Sequence, residues 1–196
     1  APATVLLFRH ALDAFQDLTF LDILLIAACS NDCEPVLPVD FEELDAIAYG
    51  LAREPSFLLQ LPRGTVMETL DVRGKRLLAA LKMSLVMRAW TRLSDAHVVA
   101  DQHDCYPFEV LRLRESMDRL LLAMAAIPEK LEDEQEPPPL LAGDDVPIHE
   151  RIQALHRMIR TGLDEFAATL TLIHGIGPKM AKRLQLAGIA DIEDLA

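Results

Sequence analysis

Apolar residues recur along most of this chain at intervals of three and four, the period of a helix with one buried face. No stretch sustains the alternation of a half-buried strand, so the pattern predicts an all-α protein. In LTFLDILLIAACS, Thr19 and Asp22 have the spacing of a capping box ahead of an apolar helix. A second helix is expected after Asp40 in PVDFEELDAIAYGLAREP, stopping near Pro55. A long one runs from about Thr69 to Leu93, and Ser94 is placed to cap a short helix in SDAHVVADQHD. PFEVLRLRESMDRLLLAMAAI follows, with Pro107 in its first turn, where a missing N–H costs little. Within that helix Leu113, Met117, Leu120, Met124 and Ile127 make a core-facing stripe. Arg112, Ser116 and Arg119, at i, i+4 and i+7, make an opposite stripe expected to be functional.

One segment breaks the pattern. PEKLEDEQEPPPLLAGDDVP, Pro128 to Pro147, holds five prolines and many acids without a helical period. It reads as a linker or long exposed loop. The expected organisation is a helical body over 1–127, an acidic proline-rich linker over 128–147 and a small C-terminal unit over 148–196.

Composition narrows the class. A chain of 196 residues that is 51% hydrophobic can bury a sizeable core. The longest apolar run, Phe20 to Cys29, contains Asp22 and falls short of the ~18–20 residues a membrane span requires. No secretory leader pattern is present, and the expectation is a cytoplasmic protein with no membrane partner. Cys29, Cys33 and Cys105 cannot all pair and lack the clustering of a zinc site, so reduced thiols and no metal are expected.

The formal net charge of −12 argues against a nucleic-acid partner until it is mapped along the chain. Glu129 to Glu150 carries eight acids against the single base Lys130. Arg73 to Arg92, by contrast, holds six bases and no acid, and Gly175 to Ile189 holds Lys179, Lys182 and Arg183 with no acid. Binding to nucleic acid depends on the field within about a Debye length, ~8–10 Å, so local runs outweigh the total.

The second basic run is also a motif. In GIGPKMAKRLQLAGI the glycines on either side of Ile176 permit a tight turn between two amphipathic helices. The following helix would offer unpaired N–H groups and the positive end of its dipole to an anion, with Pro178 in the first turn. Ile176 is expected to anchor the turn, Ala181 and Leu184 to pack on the preceding helix, and Gly188 to end the second helix. Asp191 and Asp194 would open a further short helix.

This pattern resembles the helix-hairpin-helix motif, whose members grip the DNA backbone without reading sequence. The resemblance casts Gly175, Ile176 and Gly177 as the hairpin and Lys179, Lys182 and Arg183 as phosphate contacts. Four stretches in order, LTFLDILLIAACSND, LKMSLVMRAW, DCYPFEVLRLRESMDRLLLAM and GLDEFAATLTLIHGIGPKMAKRLQLAGIADIEDLA, resemble the C-terminal part of superfamily 2 DNA repair helicases of the HelQ type. The likeness is densest from Gly162 onward and patchy before Leu70. It implies a ratchet-like helical bundle followed by a small helix-hairpin-helix domain. It also implies a long helix that contacts the translocating strand through Arg112 and an aromatic. That aromatic position falls on Arg119 here, a departure from the family pattern.

No G-x-x-x-x-G-K-[ST] phosphate loop occurs, no catalytic constellation has supporting context, and the six histidines are scattered. The expectation is therefore an accessory region with no catalytic residue and no cofactor of its own. Its parent would be an ATP-dependent helicase with ATP and Mg in upstream motor domains. Single-stranded or forked DNA would be the partner, and RNA fits the same chemistry. Two other readings stay open: a stand-alone helix-hairpin-helix scaffold of a repair complex, and a helical protein-interaction module.

Overall fold

A computed structural model describes residues 18–56, 58–60, 75–126 and 148–189, and among these the chain is all-helical, with eight α-helices. They are α1 (Phe20–Cys29), α2 (Leu44–Ala52), α3 (Lys75–Leu93), α4 (Ala96–Gln102), α5 (Pro107–Ala125), α6 (Ile148–Thr161), α7 (Glu165–Leu170) and α8 (Pro178–Leu186). The beginning of the long helix before residue 75, Ile127, the proline-rich segment 128–147 and the turn at Asp191 lie outside the described residues.

Local chemistry starts most of these helices where the sequence places them. Asp22 accepts the Thr19 N–H at 2.9 Å, and Thr19 Oγ1 accepts the Asp22 N–H at 3.3 Å, closing the capping box of α1. Pro107 opens α5 and Pro178 opens α8. Asp40 starts a single 3-10 turn, Phe41–Glu43, that leads into α2. The cap of α4 is a correction. Asp95, not Ser94, accepts the N–H groups of His97 and Val98, at 2.9 and 3.2 Å. Ser94 sits at φ 54, in the left-handed region, and its hydroxyl donates to the Gly162 carbonyl instead.

Helices α1, α3, α5 and α6 pack against one another around a single continuous core. Almost every side chain of α1 is buried, from Leu21 to Cys29, so it is the central apolar rod of the bundle. From α5, Leu113, Met117, Leu120 and Met124 enter the core, as their periodicity predicts. From α6 the contribution is Ile152, Leu155, Met158 and Ile159. Trp90 Nε1 on α3 donates to the Ile159 carbonyl at 2.9 Å, and Arg151 Nη1 on α6 donates to the Leu18 carbonyl at 2.6 Å. Hence α6 packs as a member of the helical body, although it follows the proline-rich segment in sequence. Only α7 and α8 form the hairpin, and Ala167, Ala168, Leu170 and Ala181 join its base to the same core.

Candidate nucleic-acid interface

The hairpin is built by short-range constraints. Asp164 caps α7 by accepting the Ala167 N–H at 2.9 Å. The chain then turns through Ile173, whose carbonyl accepts the Ile176 N–H at 3.0 Å. Gly175 lies at φ 91, a conformation that disfavours any residue with a Cβ. Ile176 and Leu184 lie half-buried against the core, and Ala181 is fully buried, as expected. Gly188, at φ 81, ends α8 in a Schellman arrangement: Ile189 N–H donates to Leu184 O and Gly188 N–H to Gln185 O, each at 3.1 Å.

At the start of α8, Gly177 carries no side-chain cap, and its carbonyl accepts the N–H groups of Met180 and Ala181 at 3.0 Å. No described backbone carbonyl takes the N–H of Gly177 or of Lys179. A Cβ built on Gly175 or Gly177 would meet no heavy atom within 4 Å, so the tip stands clear of the body. Lys179 and Arg183, one helical turn apart, are exposed beside it. The amides, the helix dipole and two cations converge on open space, which suits a phosphate.

Lys182 belongs elsewhere. Its Nζ reaches the Arg92 carbonyl at 3.4 Å, beside the Gln185 Nε2 donor at 3.1 Å, so it docks α8 onto the end of α3. Partial burial lowers its ammonium below the ordinary lysine range, opposed by Asp164.

In the other basic run, the described side chains Arg76, Lys82, Arg88 and Arg92 all have partners within the fold. Lys82 is buried and pairs with Glu43 while also donating to the Pro38 and Asp104 carbonyls, both at 3.2 Å. Arg76 Nη2 donates to Ser30 O at 2.8 Å. Arg88 and Arg92 grip opposite oxygens of the Glu54 carboxylate at 3.3 and 2.6 Å, and that carboxylate is only 5% exposed. Burial lowers the Arg88 guanidinium from its ordinary value, and Glu54 opposes the shift. These two arginines and Glu54 border a cleft of about 240 Å³ that Tyr49 and Arg53 also line, so its wall carries three arginines against one acid.

On α5 the expected stripe divides. Arg112 and Arg119 are exposed, but Ser116 is 1% exposed. Its hydroxyl donates to Asp32 O at 3.2 Å and accepts the Glu34 N–H at 3.1 Å. At ~100° per residue, Arg112 and Arg119 lie about 40° and 20° round the helix from Phe108, and Ser116 about 80°. That extra turn brings Ser116 to the margin of the buried arc, where the loop after α1 covers it. Among the described residues the ion-pair partner of Arg112 is Glu34, at 4.0 Å, with both side chains more than 60% exposed. Such a pair contributes little.

Sequence periodicity passed over one exposed feature. Tyr106 and Phe108, 67% and 58% exposed, stack on each other at the start of α5 with centroids 5.8 Å apart and planes 16° apart. Their signal in the sequence was two aromatics flanking a helix-opening proline. No protein-family model matches this chain, and no curated protein matches it in sequence. Among the described residues no helix is long and apolar enough to cross a membrane.

Proposed function

We propose that this chain binds single-stranded nucleic acid without sequence preference, through the sugar-phosphate backbone. The open N-terminus of α8, with Lys179 and Arg183 beside it, is the observation that carries the reading. Gly175, Ile176 and Gly177 shape that site, and Lys182 supports it from behind. Arg112 and Arg119 on α5 offer a second, weaker contact. The larger role is that of a C-terminal accessory region of an ATP-dependent DNA helicase of the HelQ type, with ATP and Mg held by upstream motor domains of the same polypeptide. Support for this role comes from the ordered likeness of four stretches and from the helical bundle that leads into the hairpin.

The test is anisotropy of a labelled single-stranded oligonucleotide titrated with the chain across a salt series. Weak binding that falls steeply with salt is expected, because phosphate contacts release counterions. Affinity independent of salt, or no affinity at low salt, would sink the reading.

A further inference from the structure

We infer that the cleft between α2, α3 and α4 is a binding site for a small phosphomonoester free in solution, a phosphate dianion carried on a compact planar body. The site is separate from the hairpin and does not rest on the nucleic-acid reading.

Three helices build the cleft. Tyr49 and Arg53, the residue that ends α2, form one side, with the Arg53 guanidinium over the Tyr49 ring at 4.6 Å from its centroid. Arg88 and Arg92, one turn apart on α3, form the second, and Gln102 and His103 close the third at the end of α4. Gly50 lets α2 approach α3 closely, since a Cβ there would meet Leu85 Cδ1 at 2.9 Å. The cleft holds about 240 Å³, below the ~300–1,000 Å³ of pockets for drug-sized ligands. It therefore suits an anionic group with little more than one ring attached.

Charge selects the ligand. Arg53, Arg88 and Arg92 line the wall with one acid, Glu54, an excess of two positive charges in a chain of net charge −12. Glu54 takes Nε of Arg88 and Nη2 of Arg92. A guanidinium carries five N–H donors, so both keep donors for a second anion. Arg53 and Arg92 reach solvent while Arg88 is largely buried, which sets cations both at the edge of the cleft and within it. Burial lowers the His103 pKa, Lys82 lowers it further and Glu43 opposes, so the imidazole is neutral at pH 7 and adds a hydrogen-bonding group. The C-terminal ends of α2 and α4 offset part of the excess, by about half a charge each. Asp101 and Asp104 line the neighbouring cavity with the Lys82–Glu43 pair, and both are exposed, where solvent and salt screen them. A larger cavity of about 350 Å³ shares Glu54 and Arg88 but adds the acid Glu165 and the base Arg151, so its charges balance. A phosphomonoester carries about two negative charges at pH 7, and arginine forks take its oxygens in pairs. The Tyr49 ring, 62% exposed, offers an apolar surface to the body of the ligand.

The probe is phenyl phosphate, titrated into the full chain by calorimetry beside inorganic phosphate and phenyl sulfate, the monoanion of the same shape. Phenyl phosphate is expected to bind about tenfold tighter than phenyl sulfate, the scale of one charge-assisted hydrogen bond, and tighter than inorganic phosphate. Arg53→Gln/Arg92→Gln should weaken it at least tenfold. Because Arg92 also supports Glu54, Arg53→Gln alone is the second variant, with a several-fold loss expected. Tyr49→Leu should bring phenyl phosphate to the level of inorganic phosphate. Helical circular dichroism of each variant checks that the fold is kept. No binding of phenyl phosphate, equal affinity for the sulfate, or undiminished affinity in Arg53→Gln overturns the site. If Lys179→Ala/Arg183→Ala abolishes binding, the anion sits at the hairpin and the cleft reading falls, while the hairpin reading gains.

Discussion

The indole N–H of Trp90 on α3 donates to the backbone carbonyl of Ile159 on α6, at 2.9 Å in the buried interior. These residues lie on either side of the proline-rich segment, so the bond joins the two halves of the chain in one core. Gly162, the residue immediately after α6, packs beneath the same ring, where a Cβ would come within 3.1 Å of Cζ2. Replacing Trp90 by Phe removes the donor and leaves a buried carbonyl short of a partner. A loss of about 1–3 kcal/mol is expected, read as a lower urea midpoint. As Trp90 is the only tryptophan, its fluorescence should report loss of the α3–α6 contact in a single transition.

Glu54 is the counter-charge for two arginines. With Glu54→Gln, the largely buried Arg88 keeps its charge without a full partner, and Arg92 loses its 2.6 Å contact. Removing one member of a buried pair costs about 3 kcal/mol or more, and denaturant unfolding should display a loss of that order. A variant as stable as the wild type would mean that these arginines are solvated and free to bind.

The three bases of the hairpin should separate by role. Lys179→Ala/Arg183→Ala is expected to lower single-strand affinity and to reduce the slope of log K against log salt by about 1.4, the share of two phosphate contacts. Lys182→Ala should change that slope little. Its effect is on the docking of α8 at the Arg92 carbonyl, visible as faster amide exchange in α8. Equal slope changes for both variants would contradict the division.

Burial pushes the thiols of Cys29 and Cys33 from the ordinary 9.0 up to about 12, with Arg76 lowering and Cys33 or Glu34 raising by smaller amounts. A group whose folded pKa is raised contributes stability that is fully present below its unfolded pKa. That stability is lost as pH climbs between 9 and about 12. The urea midpoint should therefore fall more steeply over this alkaline range in the wild type than in Cys29→Ala/Cys33→Ala. Below it, both thiols should resist alkylation in the folded protein and react on unfolding.

What the sequence alone determined is what neighbours within three or four residues decide. The Thr19–Asp22 box, Pro107 and Pro178 at helix starts, the left-handed Gly175 and Gly188, and the core stripe of α5 could all be read directly. Backbone hydrogen bonding and side-chain periodicity act over that range. Even there Asp22 does more than its local pattern announces, since its buried carboxylate also accepts Ser56 Oγ at 2.5 Å and Leu58 N–H at 3.1 Å. Tertiary structure alone decided which charges are free. Arg88 is paired with an acid 34 residues away that it shares with Arg92, and Lys182 is drawn to a carbonyl 90 residues away. Ser116 is covered by a loop more than 80 residues earlier. A cation's field depends on the partners that folding brings within a few ångströms, and the linear order of residues carries no record of that distance. Arg76, Lys82 and Arg88 of the acid-free run thus became internal bracing, while Lys179 and Arg183 stand in the open beside the start of α8.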